Sequence, residues 1–186
     1  MARKPAGESM KQAKAGQNIL ITGAPGCGKT TLVEGVAQSL APIRPEGFIT
    51  REVREKGERR GFEMVSFCGK TGIFADISIR SGWRVGKYGV DVVAFDAFLE
   101  ELHFDESPFV IIDEIGKMEC LSSLFRMRIL DLLDSMTVLL ATVALRGTPF
   151  IESLKCRDDV EVFCMDSHTR DQVTKLVIQR LWSALD

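Results

Sequence analysis

A glycine-rich segment near the start of the chain has the residue types and spacing that bind phosphate. The string Gly23-Ala-Pro-Gly-Cys-Gly28-Lys29-Thr30 matches the pattern G-x-x-x-x-G-K-[ST] at every fixed position. Glycines allow a tight turn that points backbone N–H groups inward, and a following helix adds the positive end of its dipole. Lys29 would reach the β- and γ-phosphates of a nucleotide, and the Thr30 hydroxyl would bind Mg²⁺. The structural alternative is a glycine-rich turn without a ligand. The predicted nucleotide-binding residues are Gly23, Ala24, Pro25, Gly26, Cys27, Gly28, Lys29, Thr30 and Thr31.

Two acids at the end of an apolar run supply the other half of the predicted site. A buried central strand that ends in acids places them at the edge of an α/β sheet where ligands bind. Asp113 would hold Mg²⁺ there, largely through water. Glu114 would orient and polarise a water molecule, so we predict Glu114 and Lys29 as catalytic residues. The alternative for Glu114 is a solvated acid at a strand end. This Walker B segment comprises Val110, Ile111, Ile112, Asp113 and Glu114.

Three further side chains are candidates for contact with a nucleotide. Thr142 lies near the end of the strand after the Walker B segment, where its hydroxyl would sense the γ-phosphate, although threonine is also a common strand residue. Arg170, near the last helix, is either a cation for base, ribose or transition state, or a solvated surface arginine. Arg54 belongs to a basic middle segment whose charges would stabilise the γ-phosphoryl group, or have no such role. That segment carries Arg51, Arg54, Arg59, Arg60, Arg84 and Lys87.

The apolar pattern predicts strands that alternate with helices at both ends of the chain. A hairpin is predicted where apolar and polar residues alternate, over 47–53 and 61–67, around a charged turn at 55–60. The last helix is predicted to open with a capping box formed by Thr169 and Gln172. Its buried residues would be Val173, Leu176, Val177 and Leu181. The other strands are predicted over residues 18–22, 73–79, 109–112, 137–143 and 160–165. These elements predict a three-layer α/β fold with a mostly parallel sheet and an inserted β-hairpin.

Length and charge indicate one folded unit without a strong global field. The chain has 186 residues and a formal net charge of −2, which argues against specific nucleic-acid binding or an anionic membrane as partner. No apolar run is long enough to cross a membrane. Five cysteines without a C-x-x-C pair predict a reducing, cytoplasmic setting. Residues 1–17 are predicted to form a disordered basic arm, and residues 18–186 a single P-loop domain.

Several longer strings carry a family resemblance. They occupy residues 21–31, 47–55, 61–62, 85–91 and 112–119, and the most diagnostic is Asp113-Glu-Ile-Gly-Lys-Met-Glu119. Through these strings the chain resembles the small cancer-related nucleoside-triphosphatases, P-loop NTPases shared by thermophilic prokaryotes and humans. The resemblance extends over about residues 18–182. It implies a RecA-like fold with the hairpin inserted after the P-loop helix.

The resemblance also implies a reaction. The implied reaction is slow, Mg²⁺-dependent hydrolysis of several nucleoside triphosphates to nucleoside diphosphate and phosphate, with little base preference. The matching motif positions are occupied by Lys29, Thr30, Asp113 and Glu114. Two alternatives use the same loop. One is a nucleotide or small-molecule kinase whose basic hairpin closes over an acceptor. The other is an NTP-dependent switch whose turnover times the binding of a partner.

Overall fold

The computed structural model describes residues 18–40 and 43–185, and the basic arm predicted for residues 1–17 lies outside the described residues. The strands and helices predicted from the apolar patterns are present, with small shifts at their ends. The strands are β1 (Asn18–Gly23), β2 (Glu46–Glu55), β3 (Glu58–Ser66), β4 (Thr71–Asp76), β5 (Arg84–Val85), β6 (Tyr88–Val90), β7 (Phe109–Ile115), β8 (Val138–Ala144) and β9 (Val160–Met165). The α-helices are α1 (Lys29–Ser39), α2 (Val92–Glu100), α3 (Ser123–Asp134), α4 (Pro149–Lys155) and α5 (Arg170–Leu185).

All of these strands join one sheet, in the order β5-β6-β4-β3-β2-β7-β8-β1-β9. Four neighbouring pairs are parallel: β2 with β7, β7 with β8, β8 with β1, and β1 with β9. β8 lies between β1, which leads into the P-loop, and β7, which ends in the two acids. Because parallel strands end at the same edge of a sheet, this topology places the P-loop and both acids at one edge.

Helices cover both faces of the sheet and enclose two apolar clusters. On one face, α1 and α5 pack on β1, β7 and β8, with Val36 and Val177 fully buried. On the other face, α2, α3 and α4 cover a cluster rich in aromatic rings, in which Phe95 contacts Phe48, Phe74 and Phe125. This is the three-layer α/β arrangement expected from the sequence. None of the helices in the described ranges is long and apolar enough to cross a membrane.

The antiparallel half of the sheet is larger than the predicted hairpin. β3 pairs with β4, β4 with β6 and β6 with β5, all antiparallel. The sheet is therefore mixed, and the expectation of a mostly parallel sheet holds for β2, β7, β8, β1 and β9. Sequence patterns missed β5 and β6 because strands of two and three residues are too short to show an alternation.

The hairpin itself turns more tightly than predicted. β2 ends at Glu55 and β3 begins at Glu58, so the loop consists of Lys56 and Gly57. Both have positive φ, 50° and 85°, as a two-residue hairpin turn with the handedness of the strand twist requires. The residues between 55 and 60 that were predicted as turn are thus mostly paired strand.

Two details at the last helix differ from expectation. Leu176 is 43% exposed, whereas Val173, Val177 and Leu181 are buried, because the helix presents only the narrow stripe at a spacing of four to the sheet. The helix start is held by Asp166, whose carboxylate accepts the amides of His168 and Thr169 at 2.8 Å. The Thr169 hydroxyl accepts the Asp166 amide at 3.0 Å, so the reciprocal cap joins Asp166 to Thr169, and the predicted pairing of Thr169 with Gln172 was wrong.

Candidate nucleotide-binding and active site

The P-loop connects β1 to α1 at the carboxyl edge of the sheet. β1 is buried along its whole length, which fixes the point where the loop starts. Gly26 and Gly28 have φ of 76° and 100°, in the left-handed region that glycine adopts without strain, and α1 begins directly afterwards at Lys29. The Lys29 ammonium donates to the Gly23 carbonyl at 3.2 Å. A phosphate oxygen is a stronger acceptor than this carbonyl, so the ammonium can exchange one partner for the other.

Asp113 is a buried acid that two threonine hydroxyl groups orient. It is 4% exposed, and the Thr30 hydroxyl donates to its Oδ2 at 2.6 Å. The hydroxyl of Thr142, the predicted γ-phosphate sensor, donates to its Oδ1. Burial raises the pKa of Asp113, and the hydrogen bonds from Thr142 and Thr30 and the charge of Lys29 offset part of that rise. The Thr30 contact brings the P-loop and the Walker B segment within hydrogen-bonding distance of each other.

Glu114 follows Asp113 through a cis peptide bond and is partly exposed. Burial raises its pKa; the charge of Lys29 works against this rise, and the charge of Asp113 adds to it. A carboxylate whose pKa is raised accepts a proton near neutral pH more readily than a solvated one. The position of Glu114 therefore suits a group that polarises water.

A third acid, Glu119, is buried next to Glu114. It is 6% exposed, and its Oε2 accepts the amide of Gly116 at 3.1 Å. A Cβ atom placed on Gly116 would lie 2.6 Å from Glu119 Oε2 and 3.7 Å from Glu114 Cδ, so the two carboxyl groups flank this glycine. Burial raises the pKa of Glu119 from 4.5 to about 8, and the charges of Glu114 and Asp113 add to the rise.

The buried Glu119 predicts a pH dependence of stability. Its carboxyl group stays protonated in the folded state up to about pH 8, whereas in the unfolded chain it ionises near 4.5. Its contribution to stability is therefore complete below about pH 4.5 and is lost as the pH rises towards 8. We expect the unfolding free energy of Glu119→Gln, relative to wild type, to rise by up to about 1.4 kcal/mol per pH unit across this window.

Urea denaturation of both proteins at several pH values measures this difference. Glu100→Gln is the matched control because Glu100 is exposed at the end of α2, and its profile should follow that of the wild type. Parallel profiles for Glu119→Gln and wild type would contradict the prediction.

The P-loop, the two acids Asp113 and Glu114, and the hairpin face one cavity of about 730 Å³. This volume is in the range of small-molecule sites. The hairpin contributes a carboxylate between two guanidinium groups: Arg54 and Arg59 both pair with Glu52. The lining residues are Pro25, Gly26, Gly28, Lys29, Thr30, Thr31, Glu52, Arg54, Arg59, Phe62, Asp113 and Glu114.

Most, but not all, of the predicted residues line this cavity. Gly23, Ala24 and Cys27 belong to the loop without lining it, and the apolar part of the Walker B segment is buried in β7. Arg170 also lies outside the lining, but a Cβ atom on Gly28 would be 2.9 Å from its Cδ. The arginine side chain therefore covers the P-loop from the side of α5.

Comparison with known sequences decides the family. A family profile described as NTPase matches residues 18–178, most of the chain. The chain belongs to the NTPase family. Within the family, the chain is 39% identical over 166 residues to the nucleoside-triphosphatase THEP1 of Thermotoga sp. strain RQ2, covering 88% of this chain and 94% of that protein. It is 32% identical to the human cancer-related nucleoside-triphosphatase, covering 84% and 92% of the two chains.

Solved structures in the NTPase family have the same fold. The crystal structure of THEP1 from Aquifex aeolicus matches with a TM-score of 0.79 and 32% identity, over 88% of this chain and 98% of that one. The P-loop NTPase fold expected from the sequence is thereby confirmed.

The donor set of this NTPase suits Mg²⁺. Thr30 and Asp113 offer hard oxygen donors 2.6 Å apart, which Mg²⁺ prefers to nitrogen or sulfur. Within residues 18–40 and 43–185, no group of three or more His, Cys, Asp or Glu is arranged to hold a metal ion by itself. An ion here would take its other ligands from phosphate and water, as Mg²⁺ commonly does in nucleotide sites.

Sequence reasoning missed three residues of the site. Glu52, Phe62 and Glu119 appeared only within strings that carry the family resemblance, and none was singled out as a site residue. Their roles depend on the strand register and on burial. The one available signal was the density of charge around Arg54 and Arg59, which marked the segment without showing which side chains face the P-loop.

Proposed function

We propose that the chain hydrolyses nucleoside 5′-triphosphates, including ATP and GTP, to nucleoside diphosphates and phosphate, with Mg²⁺ as cofactor, broad base specificity and slow turnover. The observation that carries this proposal is the hydrogen bond of 2.6 Å from Thr30 to Asp113. It joins the end of the P-loop to the Walker B acid. Lys29 and Glu114 line the same cavity, so phosphate binding and water activation share one space. The relatives' names, which describe nucleoside-triphosphatases, support the same reaction.

Each catalytic group has a distinct part in this reaction. The oxygen of a water molecule forms a bond to the γ-phosphorus, and the bond from that phosphorus to the β–γ bridging oxygen breaks. The Glu114 carboxylate orients the water and accepts its proton, and Lys29 holds the β- and γ-phosphate oxygens. Thr30 and Asp113 would hold Mg²⁺, which neutralises charge on the phosphates when bound.

Broad base specificity follows from what lines the cavity. Its P-loop and acidic residues are of the types that would contact phosphate, metal and water. The nearby Arg170, over Gly28, offers a planar guanidinium, which can lie against any base because every base has a π face.

Phosphate release is the test of this proposal. We expect comparable release from ATP, GTP, CTP, UTP and the deoxynucleotides with Mg²⁺, and its loss when EDTA removes the metal. Equal amounts of nucleoside diphosphate and free phosphate should form. A phosphorylated acceptor in place of free phosphate would indicate a kinase and would overturn the proposal, as would metal-independent release.

A further inference from the structure

We propose that Arg59, on the inserted hairpin, is the cation that contacts the γ-phosphate during hydrolysis, and that Glu52 is its positioning residue. This inference rests on the proposed function, because it assigns a role within the same cavity. It selects one guanidinium from several basic side chains near the P-loop. The selection depends on which N–H groups are already engaged.

The strand register brings Arg54 and Arg59 face to face. The pairing of β2 with β3 shifts between Val53 and Arg54, so that Val53 lies opposite Gly61 while Arg54 lies opposite Arg59. Two like charges directly opposite each other on a sheet repel. Here the repulsion is compensated by Glu52, which accepts from both guanidinium groups.

Arg54 is held on all three of its side-chain nitrogens. Its Nε and Nη2 donate to Glu52 Oε2 at 3.1 and 2.7 Å, and its Nη1 donates to the Gly57 carbonyl at 3.0 Å. The last bond ties Arg54 to the hairpin turn. Moving this guanidinium towards a phosphate would break the fork to Glu52 and the contact with the turn together.

Arg59 is held at one end only. Its Nη2 pairs with Glu52 Oε1, and its guanidinium carbon lies 5.6 Å from the centroid of the Phe62 ring. In the part of the chain that the structure describes, no side chain or backbone carbonyl accepts a hydrogen bond from its Nε or Nη1. Those donors lie in a side chain that lines the cavity with Lys29 and Glu114. Arg59 thus combines a fixed orientation with unused N–H groups.

The remaining basic side chains of the segment, and Arg170, are engaged elsewhere. Arg84 donates to the Lys87 carbonyl at 2.8 Å, and the Lys87 ammonium lies over the Tyr88 ring. Arg51 pairs with Glu34 on α1, and Arg60 pairs with Glu55 and Asp76. The Arg170 side chain packs over Gly28, where its Cδ would lie 2.9 Å from a Cβ atom. Neither Arg51 nor Arg60 nor Arg170 lines the cavity.

Glu52 gives Arg59 its direction. Burial works to raise the pKa of Glu52, but the hydrogen bonds from Arg59 and Arg54 outweigh it and lower the pKa below the ordinary value. The carboxylate is therefore ionised at neutral pH and holds one side of the Arg59 fork. The other side can then donate to γ-phosphate oxygens as charge spreads over them, and a donor fixed in advance stabilises that charge most effectively.

Steady-state kinetics of four variants test this assignment. We expect Arg59→Ala to lower kcat for ATP on the order of 10²-fold, with KM changed far less, because the contact forms mainly in the transition state. Arg59→Lys should recover only part of the loss, since an ammonium lacks the fork. Arg54→Ala should lower kcat far less than Arg59→Ala, and Arg80→Ala, at an exposed residue outside the cavity lining, should keep kcat within about threefold of wild type.

Added guanidinium ion at low concentration separates catalysis from folding. It should restore part of the activity of Arg59→Ala and leave Arg54→Ala unchanged. Glu52→Gln should lower kcat with little change in KM, and guanidinium should not rescue it because Arg59 is still present. If Glu52→Gln instead lost thermal stability but kept the wild-type kcat, the ion pair would be purely structural, and the positioning role of Glu52 would be overturned.

The outcomes separate this inference from the proposed function. If the wild type releases phosphate and Arg59→Ala does so at the same rate, the assignment of Arg59 is wrong and the hydrolase stands. A loss in Arg54→Ala equal to or larger than that in Arg59→Ala would also overturn it. If the wild type releases no phosphate, both proposals fail.

Discussion

We expect Glu114→Gln to lower kcat for ATP by about 10³-fold while ATP affinity stays within a few-fold of wild type. Glutamine keeps the size and shape of the side chain but carries no charge and accepts no proton. The Glu114 carboxyl carbon lies 3.7 Å from where a Cβ atom on Gly116 would be. Glutamine can occupy this same space beside Gly116 without polarising water. Binding by Lys29 and Thr30 does not involve this carboxylate and should persist.

Two measurements together check this expectation: single-turnover phosphate release, and binding of a fluorescent ATP analogue with Mg²⁺. Glu100→Gln, the same chemical change on the exposed end of α2, should behave like the wild type in both. Turnover by Glu114→Gln at the wild-type rate would remove Glu114 from the reaction. Loss of affinity equal to the loss of kcat would show that Glu114 acts in binding instead.

Much of the parallel half of the fold could be predicted because its signals are local. The buried run before Gly23 and the run before Asp113 each identify a central strand whose neighbours are apolar on both faces. The glycines of the P-loop and the lysine after them have one shared physical purpose, so their spacing is informative without any knowledge of the rest of the chain. Two such strings place the two halves of the site at one sheet edge.

The hairpin's share of the site could not be predicted, because it depends on register. A shift of one residue in strand pairing changes which side chains lie on a given face, and the shift occurs between Val53 and Arg54. Sequence reasoning placed Arg59 in the turn and named Arg54 as the candidate cation. The structure instead pairs Arg59 with Arg54 across the hairpin and leaves Arg59 with the unused donors.

Glu119 shows a second limit of sequence reasoning. A charged residue three positions after Gly116 is expected at the surface, since acids are seldom buried. Here it lies inside, where its pKa rises to about 8, because a glycine at 116 makes room for its carboxyl group. Burial of an acid depends on a space between elements, and that space is absent from any local pattern.

Lys29→Ala should have the other large effect, a loss in kcat/KM for ATP on the order of 10³-fold. The substitution removes a cation that donates to the Gly23 carbonyl at 3.2 Å and that, in the proposed reaction, would donate to phosphate oxygens instead. It also removes the positive charge that opposes the pKa rise of Asp113 and Glu114. Both acids should then protonate more readily, so part of the loss should appear in kcat as well as in KM. That division distinguishes Lys29 from Glu114, whose replacement affects kcat almost alone.

The pH profile of the Lys29 variant carries this argument further. The proposed reaction requires Asp113 and Glu114 in their ionised forms, so activity should be lost as the pH falls through their pKa values. Removal of the lysine charge should raise those pKa values. On the acidic side of the pH profile, the fall in kcat should therefore occur at higher pH in Lys29→Ala than in the wild type. Lys175→Ala removes an exposed ammonium on α5. It should change neither kcat/KM nor the pH at which kcat falls on the acidic side of the profile. A fall in kcat at the wild-type pH in Lys29→Ala would mean that the lysine binds phosphate without tuning the two acids beside it.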